Sequence, residues 1–361
     1  MIFLVAGARP NFMKIAPICR ELKRQNLPFK IIHTGQHYDY NMSEAFFKDL
    51  EIPEPDYYLG AGSGTHAQQT AKIMIEFEKV CLEKKPDIVI VVGDVNSTLA
   101  CSITAKKLGV KVAHVEAGLR SRDMSMPEEI NRIVTDSISD YFFVTEKSGY
   151  ENLLKEGKPE ERIFFVGNVM IDNLCFQLEK INNFKKNFVT ATLKSQLKNY
   201  LFLTLHRPSN VDNKKTLSEI FDVLNKVSKK IPIIFPIHPR TKKQIDKFEI
   251  KIASSIYMIE PLSFSESLFL WKDAKAVLTD SGGLQEETTA LGVPCLTLRE
   301  NTERPITIEV GTNVLIGRDY ALIEKYIYEV LQGNFKKGQV PEKWDGKVSH
   351  RIVKILREIL K

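Results

Sequence analysis

Short apolar, β-branched runs alternate with amphipathic helical stretches along almost the whole chain. That alternation constrains the fold more than any other feature. A strand covered on both faces reads as a continuous apolar run, and strands joined through helices must lie parallel. The run Ile88 to Gly93 is of this kind. In the first half, strands are expected at Ile2–Ala6, Phe29–Thr34, Ile88–Gly93, Val110–Val115, Tyr141–Thr145 and Ile163–Val166. A polar Asn- and Lys-rich segment around Asn182 to Asn187 reads as linker. A second set follows at Tyr200–Leu205, Ile231–Ile237, Ile256–Ile259, Ala276–Thr279, Pro294–Leu298 and Asn313–Leu315, and the stretch His350 to Leu360 is a closing helix. The expected fold class is α/β, with two Rossmann-like domains facing each other across a cleft, over residues 1–170 and 171–345.

The length of 361 residues favours two cores over one. Hydrophobic and charged contents of 43% and 27% belong to an ordinary globular protein, and no apolar run is long enough to span a bilayer. With no charged leader before the first strand, a cytoplasmic location is expected, without membrane association. Cys19, Cys81, Cys101, Cys175 and Cys295 lack metal spacing and read as reduced, buried thiols; no metal is expected. The net charge of +6 is concentrated in lysine-rich stretches that lack interleaved aromatics, so a nucleic-acid partner is not expected. A modest positive balance suits an anionic small substrate.

Two acids emerge at strand ends. Asp94 follows VIVV and Gly93; after one helix, near Asn96 to Leu108, the next strand delivers Glu116. In a right-handed strand–helix–strand unit both reach the carboxyl edge of the sheet, where open α/β sheets bind ligands. Pro127 suits the first position of a helix, which puts Glu128 in its first turn and Arg132 four residues on, on the same face. An ordinary dipole-stabilising acid with a surface partner would read the same way for that pair. With Asp94 and Glu116 aimed at one edge, an acid–base site is the better account.

Several turns suit anions. GARPNFMK places Arg9 and Lys14 around a helix start. AGSGT, Ala61 to Thr65, follows irregular sequence and reads as a mobile loop more readily than as a phosphate loop. DSGGLQEE, Asp280 to Glu287, opens a helix directly after a strand. Ser281, Gly282 and Gly283 can therefore turn N–H groups and a hydroxyl toward a diphosphate, with Glu287 one turn on for ribose hydroxyls. A plain glycine-containing cap is the alternative. LHRPSN puts His206 and Arg207 at another strand end. His238 in IHPR reads equally as structural, and Arg304 in RENTERP as a phosphate or sugar contact or a surface arginine. Neither a dinucleotide fingerprint nor a Walker loop is present, so no nucleotide cofactor is expected.

GARPNFMKIAPI, VVGDVNSTLA, HVEAGLRS followed by MPEEINR, LTLHRPSN, TDSGGLQEE and ENTERP, in this order, closely resemble the non-hydrolysing UDP-N-acetylglucosamine 2-epimerases from Gly7 to about Gly317. The resemblance implies the glycosyltransferase-B architecture, with the last helix, residues 346–361, packing back on the first domain. It also implies a homodimer and interconversion of UDP-N-acetylglucosamine with UDP-N-acetylmannosamine without metal or nicotinamide. By the same resemblance Asp94, Glu116 and Glu128 are the acid–base carboxylates, Arg132 the arginine beside them and His206 the active-site histidine. Arg9 and Lys14 match basic groups near the nucleotide, and Ser281, Gly282, Gly283, Glu287 and Arg304 the UDP set. One departure is the segment QHYDYNMSEAFF, with extra residues after His37; many bacterial members use that segment in a regulatory substrate site.

The residues also suit such chemistry on their own terms. Eliminating UDP with the carbon-2 proton needs carboxylates near that carbon and fixed donors for the leaving diphosphate. A retaining glycosyltransferase would need an acceptor site and no carbon-2 base. A hydrolysing epimerase, an enzyme for UDP-diacetamido-uronates and a non-catalytic nucleotide-sugar sensor are the other readings.

Overall fold

The computed structural model describes residues 1–36, 47, 48, 50–184 and 188–361. Most of QHYDYNMSEAFF, His37 included, and the end of the expected linker lie outside the described residues. The chain divides into two compact units, residues 1–173 with 342–361, and residues 174–341.

Among the described residues of the first unit, strands β1 (Ile2–Ala6), β2 (Phe29–His33), β3 (Tyr57–Tyr58), β4 (Ile88–Val92), β5 (Lys111–Val115), β6 (Tyr141–Val144) and β7 (Ile163–Phe165) form one parallel sheet in the order β3-β2-β1-β4-β5-β6-β7. The apolar run of β4 sits centrally, paired with β1 and β5, and every one of its residues is buried. Burying each such side chain contributes about 1.5–3 kcal/mol. The order reverses between β1 and β4, which opens a crevice at their carboxyl ends. Gly7, just after β1, is set by space: a Cβ there would come within 2.0 Å of Ser97 Oγ on the helix Asn96–Lys107.

β3 is not foreseen from periodicity. It is a two-residue edge pairing Tyr57 with Ile32 and Tyr58 with His33, too short to show alternation. After it, the N–H groups of Ala61 and Gly62 donate to the carbonyls of Thr34 and Gly35, both at 2.9 Å. Thr65 then caps the helix His66–Lys84, its Oγ1 accepting from the Gln68 N–H at 3.3 Å. The AGSGT backbone is thus tied into the sheet edge.

The last helix, Val348–Ile359, buries Val348, Ile352, Val353 and Leu356 in the core that also holds Phe12, Ile15 and Cys19 of the helix Arg9–Arg24. Asp172 caps it, accepting the N–H groups of Val348 and Ser349 at 2.9 and 2.6 Å. Asp172 lies on the helix Val169–Phe184, along which the chain passes from the first unit to the second.

The second unit carries β8 (Leu201–Thr204), β9 (Ile233–Pro236), β10 (Ile256–Ile259), β11 (Ala276–Thr279), β12 (Cys295–Thr297) and β13 (Asn313–Leu315). They form a parallel sheet in the order β10-β9-β8-β11-β12-β13, the arrangement of dinucleotide-binding folds, with its reversal between β8 and β11. Among the described residues no helix is long and apolar enough to cross a membrane. Cys19, Cys81, Cys101 and Cys295 are buried free thiols and Cys175 is half-buried.

Candidate active site

In the first unit, the reversal gathers Lys14, Asp94, Glu116 and Arg132. Glu116 is 3% exposed and forms a short ion pair with the Lys14 ammonium, itself buried. Both groups stand over Gly93, whose missing Cβ would come within 2.8 Å of Lys14 Nζ and 3.6 Å of Glu116 Oε2. Gly93 takes φ +66°, a conformation open to glycine, and so brings this pair beside Asp94. Glu116 takes φ +72°, a strained choice for a residue with a side chain, costing on the order of 1–3 kcal/mol. Arg9, at the first turn of its helix, is exposed.

Arg132 is 5% exposed and divides its guanidinium between Asp94 Oδ2 at 2.5 Å and Glu129 Oε2 at 2.9 Å. The helix Pro127–Ile138 does begin at Pro127, but its packing separates the adjacent acids. Glu128 is exposed and has no hydrogen-bond or ion-pair partner among the described residues. The expected partnership of Arg132 with the Glu128 face therefore gives way to Glu129, which is fully buried. Glu129 also accepts the Ser121 and Arg122 N–H groups, each at 2.9 Å. Burial pushes its carboxyl up, but these donors and Arg132 bring it below the usual range. Asn131 fixes the backbone of the neighbouring turn, donating to the Asp94 carbonyl at 2.8 Å.

In the second unit, His206 and Asp280 meet at the reversal between β8 and β11. His206 Nδ1 lies 2.7 Å from Asp280 Oδ1, and Asp280 Oδ2 accepts the His206 and Arg207 N–H groups at 2.9 and 2.8 Å. Arg207 Nε donates to the Asp280 carbonyl at 2.9 Å. Burial works against the Asp280 charge, yet the His206 hydrogen bond and these N–H groups hold it below the ordinary carboxylate range. Ring orientation is therefore fixed through Nδ1, leaving Nε2 for a ligand. His238 instead caps the helix Pro239–Phe248, its Nδ1 accepting from the Arg240 N–H at 3.2 Å.

The helix Gly282–Leu291 opens beside this pair, with Ser281 at its N-cap. The Ser281 side chain makes no capping bond, and Cβ atoms at Gly282 and Gly283 would meet nothing within 4 Å. The first-turn N–H groups of the helix and the Ser281 hydroxyl are thus open to an anion. Glu287, one turn on, is buried, and its Oε2 has no partner among the described residues. Burial, with the Glu286 charge second, raises its carboxyl to about 8. Arg304 Nε pairs with Glu286 at 2.5 Å.

A family model of UDP-N-acetylglucosamine 2-epimerase matches residues 20–357. The chain belongs to this epimerase family. The UDP-N-acetylglucosamine 2-epimerase of Methanocaldococcus jannaschii is 46% identical over 364 residues, 98% of each chain. A crystal structure of the enzyme from that organism, in complex with UDP-GlcNAc and UDP, superposes with a TM-score of 0.84 at 45% identity, covering 99% of both chains. The UDP-2,3-diacetamido-2,3-dideoxy-D-glucuronate 2-epimerase of Pseudomonas aeruginosa is 41% identical over 88% of each chain. The fold, two Rossmann-like α/β units, is that of solved UDP-N-acetylglucosamine 2-epimerases.

Within this epimerase, sequence reasoning missed three supporting groups. Glu129 hides in an acid doublet, Asp280 reads only as the start of a glycine turn, and His114, although it opens HVEAGLRS, gives no sign in sequence of its buried partner Asp136. The signals available were weak: an acid directly at a strand end for Asp280, and an inward position on β5 for His114.

Proposed function

We propose that the protein interconverts UDP-N-acetylglucosamine and UDP-N-acetylmannosamine by elimination and re-addition of UDP through 2-acetamidoglucal, supplying precursors of cell-surface polysaccharide in the cytoplasm. The observation that carries this reading is the grouping of Asp94 and Glu116 with Lys14 and Arg132 at one sheet edge. In the forward direction a carboxylate takes the carbon-2 proton, the C1–O bond breaks with its electrons leaving on UDP, and a C1–C2 double bond forms. Protonation of carbon 2 on the opposite face, with return of the UDP oxygen to carbon 1, gives the epimer. Asp94, Glu116 and Glu128 serve as the acid–base groups, with Glu116 positioned by its ion pair to Lys14 and Asp94 by its ion pair to Arg132.

UDP is assigned to the second unit. The Ser281–Gly283 turn takes the diphosphate, Glu287 the ribose hydroxyls, His206 the phosphate side of the breaking bond, and Arg9 and Arg304 further contacts to the nucleotide sugar. A homodimer is included in this reading; exposed Ile75 and Leu82 on the helix His66–Lys84, 56% and 59% accessible, favour a partner on that face.

Incubation with UDP-N-acetylglucosamine in deuterium oxide, followed by NMR, tests the proposal. UDP-N-acetylmannosamine carrying deuterium at carbon 2, with traces of 2-acetamidoglucal, is expected. Free N-acetylmannosamine plus UDP would make the enzyme hydrolysing. Epimerisation of a UDP-diacetamido-uronate, the activity named for the 41% identical Pseudomonas enzyme, ranks behind this reading, whose relative is 46% identical; turnover of that sugar but not of UDP-N-acetylglucosamine would select it.

A further inference from the structure

Three left-handed backbone positions cluster in the turns that carry the two strand-end acids: Gly93 at φ +66°, Glu116 at φ +72° and Gly118 at φ +79°. The glycines adopt this conformation freely, but Glu116 holds it only if its surroundings over-determine the turn. One fully buried pair spans both turns. His114 Nδ1 lies 2.6 Å from Asp136 Oδ1, and His114 Nε2 lies 2.8 Å from the carbonyl oxygen of Gly93, the residue before Asp94. Asp136 Oδ2 accepts the N–H of Gly118, two residues past Glu116, at 3.0 Å, and the Arg120 guanidinium at 2.7 Å.

We propose that His114 and Asp136 are positioning residues for the epimerisation, a buried brace that sets the Asp94 turn against the Glu116 turn. Gly93 is held from one end and Gly118 from the other, so neither turn can shift without breaking a buried hydrogen bond. This inference rests on the epimerase reading, because a fixed spacing of the two acids matters only if both act on one substrate. The brace lies at the sheet edge and touches no group assigned to UDP, so it should act on turnover and leave nucleotide affinity alone.

Three variants test it. Asp136→Ala removes the centre of the brace, and loss of ångström-scale positioning should lower kcat by about 10²-fold. Asp136→Asn can still accept from Gly118 and donate to His114 Nδ1, leaving the imidazole proton on Nε2 toward Gly93, so it should recover most of that loss. His114→Asn keeps a donor for Asp136 but cannot reach the Gly93 carbonyl. It leaves no buried charge unpaired, which guards against simple unfolding, and should cost about 10- to 10²-fold in kcat. UDP affinity by calorimetry should be unchanged in all three, while release of 2-acetamidoglucal per turnover rises in Asp136→Ala and His114→Asn. Amide hydrogen exchange of the Gly93–Asp94 and Glu116–Gly118 turns, measured without substrate, should quicken in both. That readout stands even if the wild-type protein leaves UDP-N-acetylglucosamine unchanged, an outcome that would count against the epimerase reading alone. Wild-type turnover in folded His114→Asn, no recovery in Asp136→Asn, or unchanged exchange at the two turns would overturn the brace.

Discussion

Asp280 holds His206 twice, by its carboxylate 2.7 Å from the ring Nδ1 and by accepting the residue's own backbone N–H at 2.9 Å. The imidazole is thereby fixed in both position and orientation. Asp280→Asn should lower kcat by at least about 10²-fold, the scale on which loss of a histidine's orienting carboxylate is felt. Steady-state kinetics on the folded variant decides this; an unchanged kcat would mean His206 needs no orienting partner.

Asp94→Asn and Glu116→Gln should each cost at least about 10²-fold in kcat while UDP binding stays close to wild type. The affinity half of the prediction follows from the assignment of UDP to the open glycine turn, which belongs to the second unit, whereas Asp94 and Glu116 belong to the first. Wild-type turnover in both variants would remove the acid–base assignment.

The adjacent acids Glu128 and Glu129 should separate by phenotype. Glu128→Gln lies on an exposed position and should leave stability within about 0.5 kcal/mol of wild type while lowering kcat by about 10²-fold. Glu129→Gln puts an amide donor against buried N–H groups and Arg132, and should cost roughly 1–3 kcal/mol of stability. Thermal denaturation together with kcat reads both. Equal melting temperatures for the two variants would contradict the division.

Gly282→Val should abolish UDP binding with little loss of stability, since a Cβ there would meet nothing within 4 Å, while a branched side chain would crowd the first-turn N–H groups offered to phosphate. Calorimetry with UDP is the measurement. Unchanged affinity would reduce the turn to a helix cap.

Glu287 gives the UDP-free protein a specific pH dependence. Its folded-state value of about 8 lies above the ordinary 4.5. Between those values the folded protein keeps a proton that the unfolded chain has released. This contribution to stability is therefore complete below about 4.5 and is lost as pH rises through about 8. Glu287→Gln should flatten the fall in melting temperature over that window. Ribose hydroxyls that donate to the ionised carboxylate should also make UDP binding release protons near neutral pH, seen by calorimetry in buffers of different ionisation enthalpy. Identical pH profiles for wild type and Glu287→Gln would exclude this linkage.

The sequence by itself determined the two parallel sheets, because β-branched runs separated by helical segments have few other ways to satisfy their backbone and bury both faces. It also determined which residues stand at strand ends, since each motif directly follows its strand: Asp94 after β4, Glu116 after β5, His206 after β8 and Ser281 after β11. Only the tertiary structure decided how those groups are held. Glu128 and Glu129 are chemically identical neighbours, and the packing of one helix face turns Glu129 inward to Arg132 while leaving Glu128 in solvent. Asp280 meets His206 across 74 residues of sequence and Asp136 meets His114 across 22. The two-residue strand β3 exists through its pairing with β2. Local patterning reports burial and the ends of elements; it is silent on which buried polar groups close hydrogen bonds with one another, because that depends on distances set after the sheet has formed.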